Sequence, residues 1–406
     1  MSDAANTPSG APVRALTHLG ALRVREFLAR HWQRRPLLIR QALPDFASPF
    51  AADTLFDLSA LDEVESRLVQ RAGGRWKLRH GPFRRGSLPS RRRPGWTLLV
   101  QGVDLHLQAA ADLLARFRFV PDARLDDLMV SYASDGGGVG PHIDSYDVLL
   151  LQAFGRRRWR IQQGADPACV AGLPIRQLAR FAPQDEWELQ PGDVLYLPPG
   201  VAHDGVAVGE CITCSIGFRV PAWPDLADLW SQLQSGSDTA RRAAFHDAGL
   251  APSPHPARLP AVMVDQAHRQ LLQRRPGRQQ VALALLRQLS EPKARVSFEA
   301  PRQPITRGRF AHLIRRHGLR TDRRTRMLYS GATLAINGEL VPLTDRAQRA
   351  LLQSLADRRV LPAQGATPLA GSVSAQLYEW YLAGWLHPIV GATSMGAHEL
   401  RGHRGL

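Results

Sequence analysis

The sequence predicts a mainly β jelly roll or sandwich, then a helical segment, then a small unit holding a hairpin and a helix. Three observations predict it. Short apolar runs separated by Gly, Pro and Asp crowd residues 97–220. Apolar residues recur at three- and four-residue spacing across 225–290. Asn337–Gly338 stands between apolar runs in "TLAINGELVPL" (333–343), a type I′ hairpin signal.

The elements follow in order. "MSDAANTPSGAPVRAL" has no basic region followed by an apolar core, so it reads as a short disordered tail rather than a secretory signal. "LRVREFLAR" (22–30) has helical spacing. In "HWQRRPLLIRQALPDF" (31–46), Pro36 ends that helix and "LLIR" reads as a buried strand. "HGPFRRGSLPSRRRPGW" (80–96) reads as a long loop whose arginines form a solvated surface, with a substrate-facing role as the sharper alternative. The strand candidates are "TLLVQGV", "DLMVSYA", "YDVLLLQAF", "RRRWRIQ", "DVLYLPPG" and "ITCSIGFRV". "VPAWPDL" (220–226) marks a boundary. "DLADLWSQL", "TARRAAFHDAG", "VMVDQAHRQLLQRR" and "QQVALALLRQL" then read as helices. A third unit begins near 297, where Thr344 is expected to cap the helix "DRAQRALLQSLADRR". Hairpin and helix together hint at a winged helix. "LYEWYLAGWLHP" reads as core or interface.

Composition narrows the function. Hydrophobic content is 44% and charged content 22%, both ordinary for a globular protein. No apolar run approaches bilayer-spanning length. Three cysteines, Cys169, Cys211 and Cys214, suit a reducing compartment, so a cytoplasmic location is expected. "CITC" (211–214) is a CxxC, but residues three apart on a strand face opposite sides; both cysteines read as small buried residues. Basic residues number 52 and acidic 36, a net charge of +16. Nearly all the basic residues are Arg; Lys77 and Lys293 are the exceptions. Such a balance favours acidic partners, nucleic acid first, or reflects compositional drift. Nucleic acid is thus a possible partner and not a required one.

The chemistry concentrates in "GPHIDSYDVLLLQAFGRRRWRI" (140–161). On a strand, His142 and Asp144 face the same way, about 6.6 Å apart at Cα, so both can reach one metal ion. A third ligand should come from a neighbouring strand, and His203 in "PGDVLYLPPGVAHDG" is the best candidate. Two histidines and one carboxylate on one face leave open positions on an octahedral metal, the facial triad of non-haem Fe(II) oxygenases. "GGGVG" (136–140) lets the backbone pass close to such a ligand. The arginine run adds an anion. Alternation puts Arg157 and Trp159 on one face and Arg156, Arg158 and Arg160 on the other. An inward guanidinium requires an anion or a buried acid. A dicarboxylate co-substrate, 2-oxoglutarate, would join metal and cation into one site. Alternation alone leaves open which arginine points inward, because a bulge shifts it.

The run "GGGVGPHIDSYDVLLLQAFGRRRWRI", with "PGDVLYLPPGVAHDG" and "SIGFRVP" after it, resembles the JmjC-type ribosomal oxygenases. Within them it is most similar to the bacterial branch, the ribosomal protein L16 arginine hydroxylases. "HWQRRPLLIRQALPDF" is similar to that family's N-terminal segment. The resemblance covers about 20–220 and continues as layout beyond. It implies a double-stranded β-helix (jelly-roll, cupin-like) JmjC domain over 16–222 after a tail over 1–15. It further implies a helical dimerisation region over 223–296, a winged-helix-like domain over 297–406, and a homodimer. The implied cofactors are Fe(II) and 2-oxoglutarate. His142, Asp144 and His203 match the family's iron ligands, Arg157 its 2-oxoglutarate anchor, and Ser215 a supporting hydroxyl. A substrate arginine would need a carboxylate near the metal. Asp135, seven residues before His142, is preferred, with Asp147 as the other candidate. Tyr132, Tyr146 and Phe154 are candidate aromatic walls.

The leading reading is therefore an Fe(II)- and 2-oxoglutarate-dependent hydroxylase of an arginine in ribosomal protein L16. The alternative within chemistry is hydroxylation of a histidine or another residue in another ribosomal protein. The rival from another class is a jelly-roll sensor with a winged helix, acting as a DNA-binding regulator. Against that rival, the helix at 345–359 mixes Asp345 and Asp357 with its arginines, and Arg346, Arg349 and Gln353 read as a solvated face.

Overall fold

The computed structural model describes residues 12–219, 247–271, 277–363 and 371–389. The boundary at 220–226, the helix "DLADLWSQL" and most of "TARRAAFHDAG" lie outside the described residues. The chain divides into two compact units, 14–284 and 285–406, the latter grouped with residues 1–13.

In the first unit a short ribbon, β1 (His18–Leu19) and β2 (Leu22–Arg23), leads into the helix Val24–Arg30. Ten strands then build one sheet: β3 (Leu37–Ile39), β4 (Ser66–Ala72), β5 (Arg75–His80), β6 (Trp96–Val100), β7 (Leu125–Ala133), β8 (His142–Ile143), β9 (Val148–Gln162), β10 (Asp185–Leu189), β11 (Val194–Leu197) and β12 (Ala202–Phe218). Their order is β3-β11-β9-β12-β7-β6-β4-β5, with β10 beside β9 and β8 beside β12. Every pairing is antiparallel. This is a cupin-like β-sandwich.

Two long strands set its shape. "YDVLLLQAF" and "RRRWRIQ" belong to one strand, β9, of 15 residues, and β12 runs for 17. Successive residues of β9 serve different cores. Leu149 and Leu151 join the large core, with Phe27, Trp32 and Tyr196. Val148 and Leu150 join a smaller one, with Trp159, Leu195 and Leu197. The strand is thus buried on both faces, which explains why its first half is continuously apolar. Register with β12 shifts between Val208 and Ile212, where β9 carries Gly155 at φ 62°. A Cβ there would meet the Glu210 carbonyl at 2.1 Å, so only glycine lets the strands pass at this irregularity. Past the bend, burial alternates as anticipated: Arg157 and Trp159 are buried and Arg158 is exposed.

A buried polar network ties the loop before β9 to the rest of the core. Arg124 Nη2 donates to Asp147 Oδ2 at 2.9 Å, and Arg124 Nη1 donates to Asp247. Tyr196 Oη donates to Asp147 Oδ1 at 2.6 Å, and Gln33 Nε2 to Asp147 Oδ2 at 3.0 Å. Trp32 Nε1 donates to Asp247 Oδ1 at 2.6 Å. Both Arg124 and Asp147 have fully buried side chains, so charge and partners must match.

The second unit carries β13 (Leu319–Thr321), β14 (Met327–Ser330), β15 (Thr333–Ile336), β16 (Glu339–Pro342), β17 (Val360–Leu361) and β18 (Leu386–Pro388). The anticipated hairpin is β15–β16, with Asn337 at φ 49° and Gly338 at φ 87°, as a type I′ turn requires. The helix after it is Arg346–Arg358, and its cap is Asp345 rather than the expected Thr344. Asp345 Oδ1 accepts from Gln348 N, while Gln348 Oε1 accepts from Thr344 N at 2.8 Å. The carboxylate takes the capping role because it also favours the positive end of the helix dipole.

Sequence patterning did not single out the β4–β5 hairpin or the helix Gln108–Ala115. "LLIR" is a strand, half-buried rather than fully buried. Cys211 and Cys214 are buried on β12, as expected. Among the described residues, no helix is long and apolar enough to cross a membrane.

Two outcomes follow from the buried charges. Asp147→Ala leaves Arg124 with an incomplete set of partners and should cost about 3–5 kcal/mol of unfolding free energy, read by urea denaturation. In the second unit, burial pushes the Asp322 carboxyl up, but hydrogen bonds from His387 and Arg324 outweigh it and hold the group well below its ordinary range. A depressed folded-state pKa contributes stability that is present above about pH 4 and lost as pH falls. Asp322→Asn should therefore destabilise the chain at neutral pH and flatten the acid limb of its stability profile, measured by thermal melting against pH.

Candidate active site

The site is built where β8, β9 and β12 meet. β8 is two residues long and pairs with β12 so that His142 lies opposite His203. Asp144 follows just after β8. One ligand-type atom from each of His142, Asp144 and His203 lies within 4.8 Å of the others. The imidazole centroids are 4.2 Å apart, and His203 Nε2 is 3.7 Å from Asp144 Oδ2.

Both histidines are oriented the same way. His142 Nδ1 is 2.9 Å from the Gly140 carbonyl, and His203 Nδ1 is 3.0 Å from the Val201 carbonyl. A carbonyl only accepts, so each Nδ1 carries the proton and each Nε2 keeps a free lone pair. Burial, and next the neighbouring His142, push the His203 imidazole down to about 3, so it stays in the neutral, ligand-competent form. Burial pushes the Asp144 carboxyl up, against His142, the Tyr146 hydroxyl and Arg67, which favour its charged form. A cation among these groups would relieve the buried carboxylate. Two neutral imidazoles and one carboxylate fit a divalent transition metal with open positions.

The anion side is equally specific. His142, Asp144 and His203 line a cavity of about 370 Å³ that Arg157 and Ser215 also line. Arg157 is 5% exposed. Its Nη1 donates to Ser131 Oγ at 3.2 Å, while Nε and Nη2 are buried without a partner. An ion in that state costs several kcal/mol unless an acceptor arrives, so the side chain could receive an anion. Trp159, in register with Gly205, also lines the cavity and has a buried, unpartnered Nε1. A Cβ on Gly205 would sit 2.6 Å from the indole ring, so glycine is what lets the ring lie over β12.

The remaining candidates separate. Asp135 is exposed, and its Oδ1 accepts from Gly209 N at 2.8 Å. Its loop continues into Gly138 and Val139, which line the cavity. Asp147 is not near the site's ligands in function: it is consumed by the Arg124 network. Tyr132 is wholly buried in the large core, Phe154 is exposed, and Tyr146 lines the cavity. Sequence reasoning did not single out Ser131, the Trp159 indole nitrogen, or Asp126 and Asp127, which line the cavity. Asp127 Oδ2 accepts from Gln101 Nε2 at 2.6 Å. The clue for Trp159 was present: it shares a strand face with Arg157.

Fold and donor set together define a cupin-type metal site that also takes an anion. The JmjC domain family model matches residues 112–226. A second model, an AraC-like ligand binding domain, matches 181–300, a range that leaves out His142, Asp144 and Arg157. The chain is 38% identical over 253 residues, 61% of its length, to the ribosomal protein uL16 3-hydroxylase of Escherichia coli K12, and the match spans 66% of that relative. An X-ray structure of E. coli YcfD superposes with a TM-score of 0.76 at 31% identity, covering 90% of this chain and 98% of that one. A structure of YcfD, a ribosomal oxygenase from E. coli, in complex with cobalt and 2-oxoglutarate superposes with a TM-score of 0.71 at 31% identity, covering 90% of this chain and 98% of that one. This chain belongs to the JmjC-domain ribosomal oxygenases.

Gly205→Ala should force the Trp159 ring off β12 and weaken 2-oxoglutarate binding by about tenfold, read by calorimetry on the metal-loaded protein.

Proposed function

We propose that this chain is an Fe(II)- and 2-oxoglutarate-dependent hydroxylase acting on an arginine of ribosomal protein L16. The observation that carries the proposal is the buried Arg157 guanidinium, two of its nitrogens without a partner, in the same cavity as the His142–Asp144–His203 cluster. The names of the related proteins support the substrate: one is a uL16 3-hydroxylase, and YcfD is a ribosomal oxygenase that was solved with 2-oxoglutarate.

The residues divide the work. His142, Asp144 and His203 would hold the iron, and the Gly140 and Val201 carbonyls keep both imidazoles aimed. Arg157 would take the distal carboxylate of 2-oxoglutarate in a forked pair, with Ser131 fixing one nitrogen and Ser215 adding a hydroxyl. When bound, iron, 2-oxoglutarate and O₂ would supply the hydroxylating power, one oxygen atom going to the substrate carbon and the other to succinate, with the remaining carbon of 2-oxoglutarate leaving as CO₂. Val148, Leu150 and Trp159 line the cavity with apolar surface and exclude water. Asp135, exposed on the loop that leads into the cavity, would pair with the substrate guanidinium and hold its side chain toward the metal. The uncommitted capacity of its carboxylate beyond the single Gly209 N–H supports that role. The reading extends to a cytoplasmic homodimer formed through 223–296, with a winged-helix-like domain over 297–406 and a catalytic domain over 16–222. The β14–β15–β16 sheet and the helix Arg346–Arg358 support the winged-helix part.

The test is mass spectrometry of an L16-derived peptide incubated with the purified chain, Fe(II), 2-oxoglutarate and O₂. The expected result is a gain of one oxygen on arginine, abolished in His142→Ala. Asp135→Ala should lose at least about tenfold in peptide hydroxylation while keeping peptide-independent 2-oxoglutarate turnover. A mass gain on histidine instead would move the target residue from arginine to histidine, and no mass gain on the peptide would remove L16 as the substrate. Undiminished peptide hydroxylation in Asp135→Ala would remove that residue from the substrate site.

A further inference from the structure

The β4–β5 hairpin and the loop after it form a surface of one charge sign. From Ser66 to Val103 the sequence carries nine arginines and Lys77 and no Asp or Glu. Acidic residues number 36 in 406, so an acid-free stretch of this length is a departure even in a basic chain. The structure gathers these cations at one edge. β5 is the terminal strand of the sheet, and it pairs only with β4 among the described residues. The hairpin tip, Gly73–Gly74, has open space around it. The loop that follows packs back on β5, where Arg79 Nη1 donates to the Ser87 carbonyl at 3.4 Å and the Arg79 guanidinium lies over the Phe83 ring, 5.3 Å from its centroid.

The acids that do approach from other elements are already engaged. Asp57 takes Arg85, and Glu210 takes Arg91. Asp53 lies 3.5 Å from Arg85 and 3.8 Å from Arg91. Arg75, Lys77, Arg84, Arg92 and Arg93 are exposed and have no ion pair among the described residues. Arg71 lies over the Trp76 ring, 5.4 Å from its centroid, so the tip also carries an aromatic surface. The patch leads into the site: the loop runs into β6, whose Thr97 and Leu99 line the cavity, and Gly95 N donates to the Asp135 carbonyl at 2.8 Å.

We infer that this edge, through Arg75, Lys77, Arg84, Arg92 and Arg93, binds the phosphate backbone of RNA beside the active-site mouth. Unpaired guanidinium groups spread along an exposed edge, next to an aromatic ring, are the features of a surface that tracks a nucleic-acid strand. A ribosomal protein is itself basic and would be repelled there, whereas the RNA it accompanies would not. The inference goes beyond the hydroxylase reading, on which its choice of RNA rests, and the two are tested apart: RNA binding needs no iron, and hydroxylation of a short peptide needs no RNA. It also gives a local cause to part of the net charge of +16.

The test is fluorescence anisotropy of the full chain with a labelled single-stranded RNA of roughly 20 nucleotides, titrated at several salt concentrations. Five phosphate contacts predict a log–log salt slope of about −3.5. The variant Arg75→Ala/Lys77→Ala/Arg84→Ala/Arg92→Ala/Arg93→Ala should bind at least about tenfold more weakly with a shallower slope. It should keep its thermal melting point and its peptide-independent 2-oxoglutarate turnover, since the five side chains are exposed. Arg346→Ala/Arg349→Ala in the second unit should bind RNA as the parent does. Parental RNA affinity and slope in the fivefold variant would overturn the inference. So would failure of the parent to bind RNA at low salt. Displacement of the RNA by polyglutamate at equal charge concentration would assign the edge to an acidic protein instead, and overturn it too.

Discussion

A buried guanidinium with two of its three nitrogens unpartnered is the constraint around which the site is arranged. Arg157 reaches the cavity because β9 and β12 pair over a long span and shift register where Gly155 lets them pass. Without that shift, the alternation of β9 would be referred to a different set of neighbours on β12. The same β12 brings His203 opposite His142 on the two-residue strand β8. The candidate metal ligands and the proposed anion receptor therefore depend on one strand. Burying a guanidinium with unpartnered nitrogens is costly, and an anion that accepts from those nitrogens offsets that cost.

The iron-ligand candidates were legible because their geometry is local. His142 and Asp144 are two residues apart, and His203 sits at the start of a strand after a Pro–Gly turn, although β8 ends at Ile143 and Asp144 lies just beyond the strand on which alternation had placed it. The inward face of β9 was not legible in this way: alternation separated Arg157 and Trp159 from Arg156, Arg158 and Arg160 but left open which set points inward, and Arg157 was singled out by the resemblance; it is buried. What stayed hidden depends on partners far away in sequence. Ser131 meets Arg157 only through the pairings of β7 and β9 with β12, and no spacing within either strand announces it. The orphaned Trp159 indole is likewise visible only once Gly205 is found beneath it.

The fold was legible in kind and less so in its parts. Continuous apolar runs identified β9 and β12 but divided β9 into two pieces, because the polar Gly155–Arg158 stretch looked like a break. The β4–β5 hairpin was passed over because its exposed alternate positions are arginines, which masked a weak apolar alternation. Gly73–Gly74 was the turn signal available there. The hairpin matters for function, since it carries part of the basic stretch that has no Asp or Glu of its own. Its arginines make the strand hard to recognise and give the edge its electrostatic character. Charge of this kind on a terminal strand also discourages edge-to-edge pairing between copies, so the protective and binding readings share one physical basis.

The central claim is that one cavity takes a metal and a dicarboxylate, with the guanidinium selecting the second carboxylate. The most direct measurement is an anaerobic titration of the Fe(II)-loaded chain with 2-oxoglutarate and, separately, with pyruvate, following the visible charge-transfer absorption of a chelated 2-oxo acid. The account predicts an absorption that saturates at one equivalent of 2-oxoglutarate, with pyruvate needing about a hundredfold higher concentration because it has nothing to offer Arg157. Equal concentrations for the two acids, or no absorption with either, would contradict it.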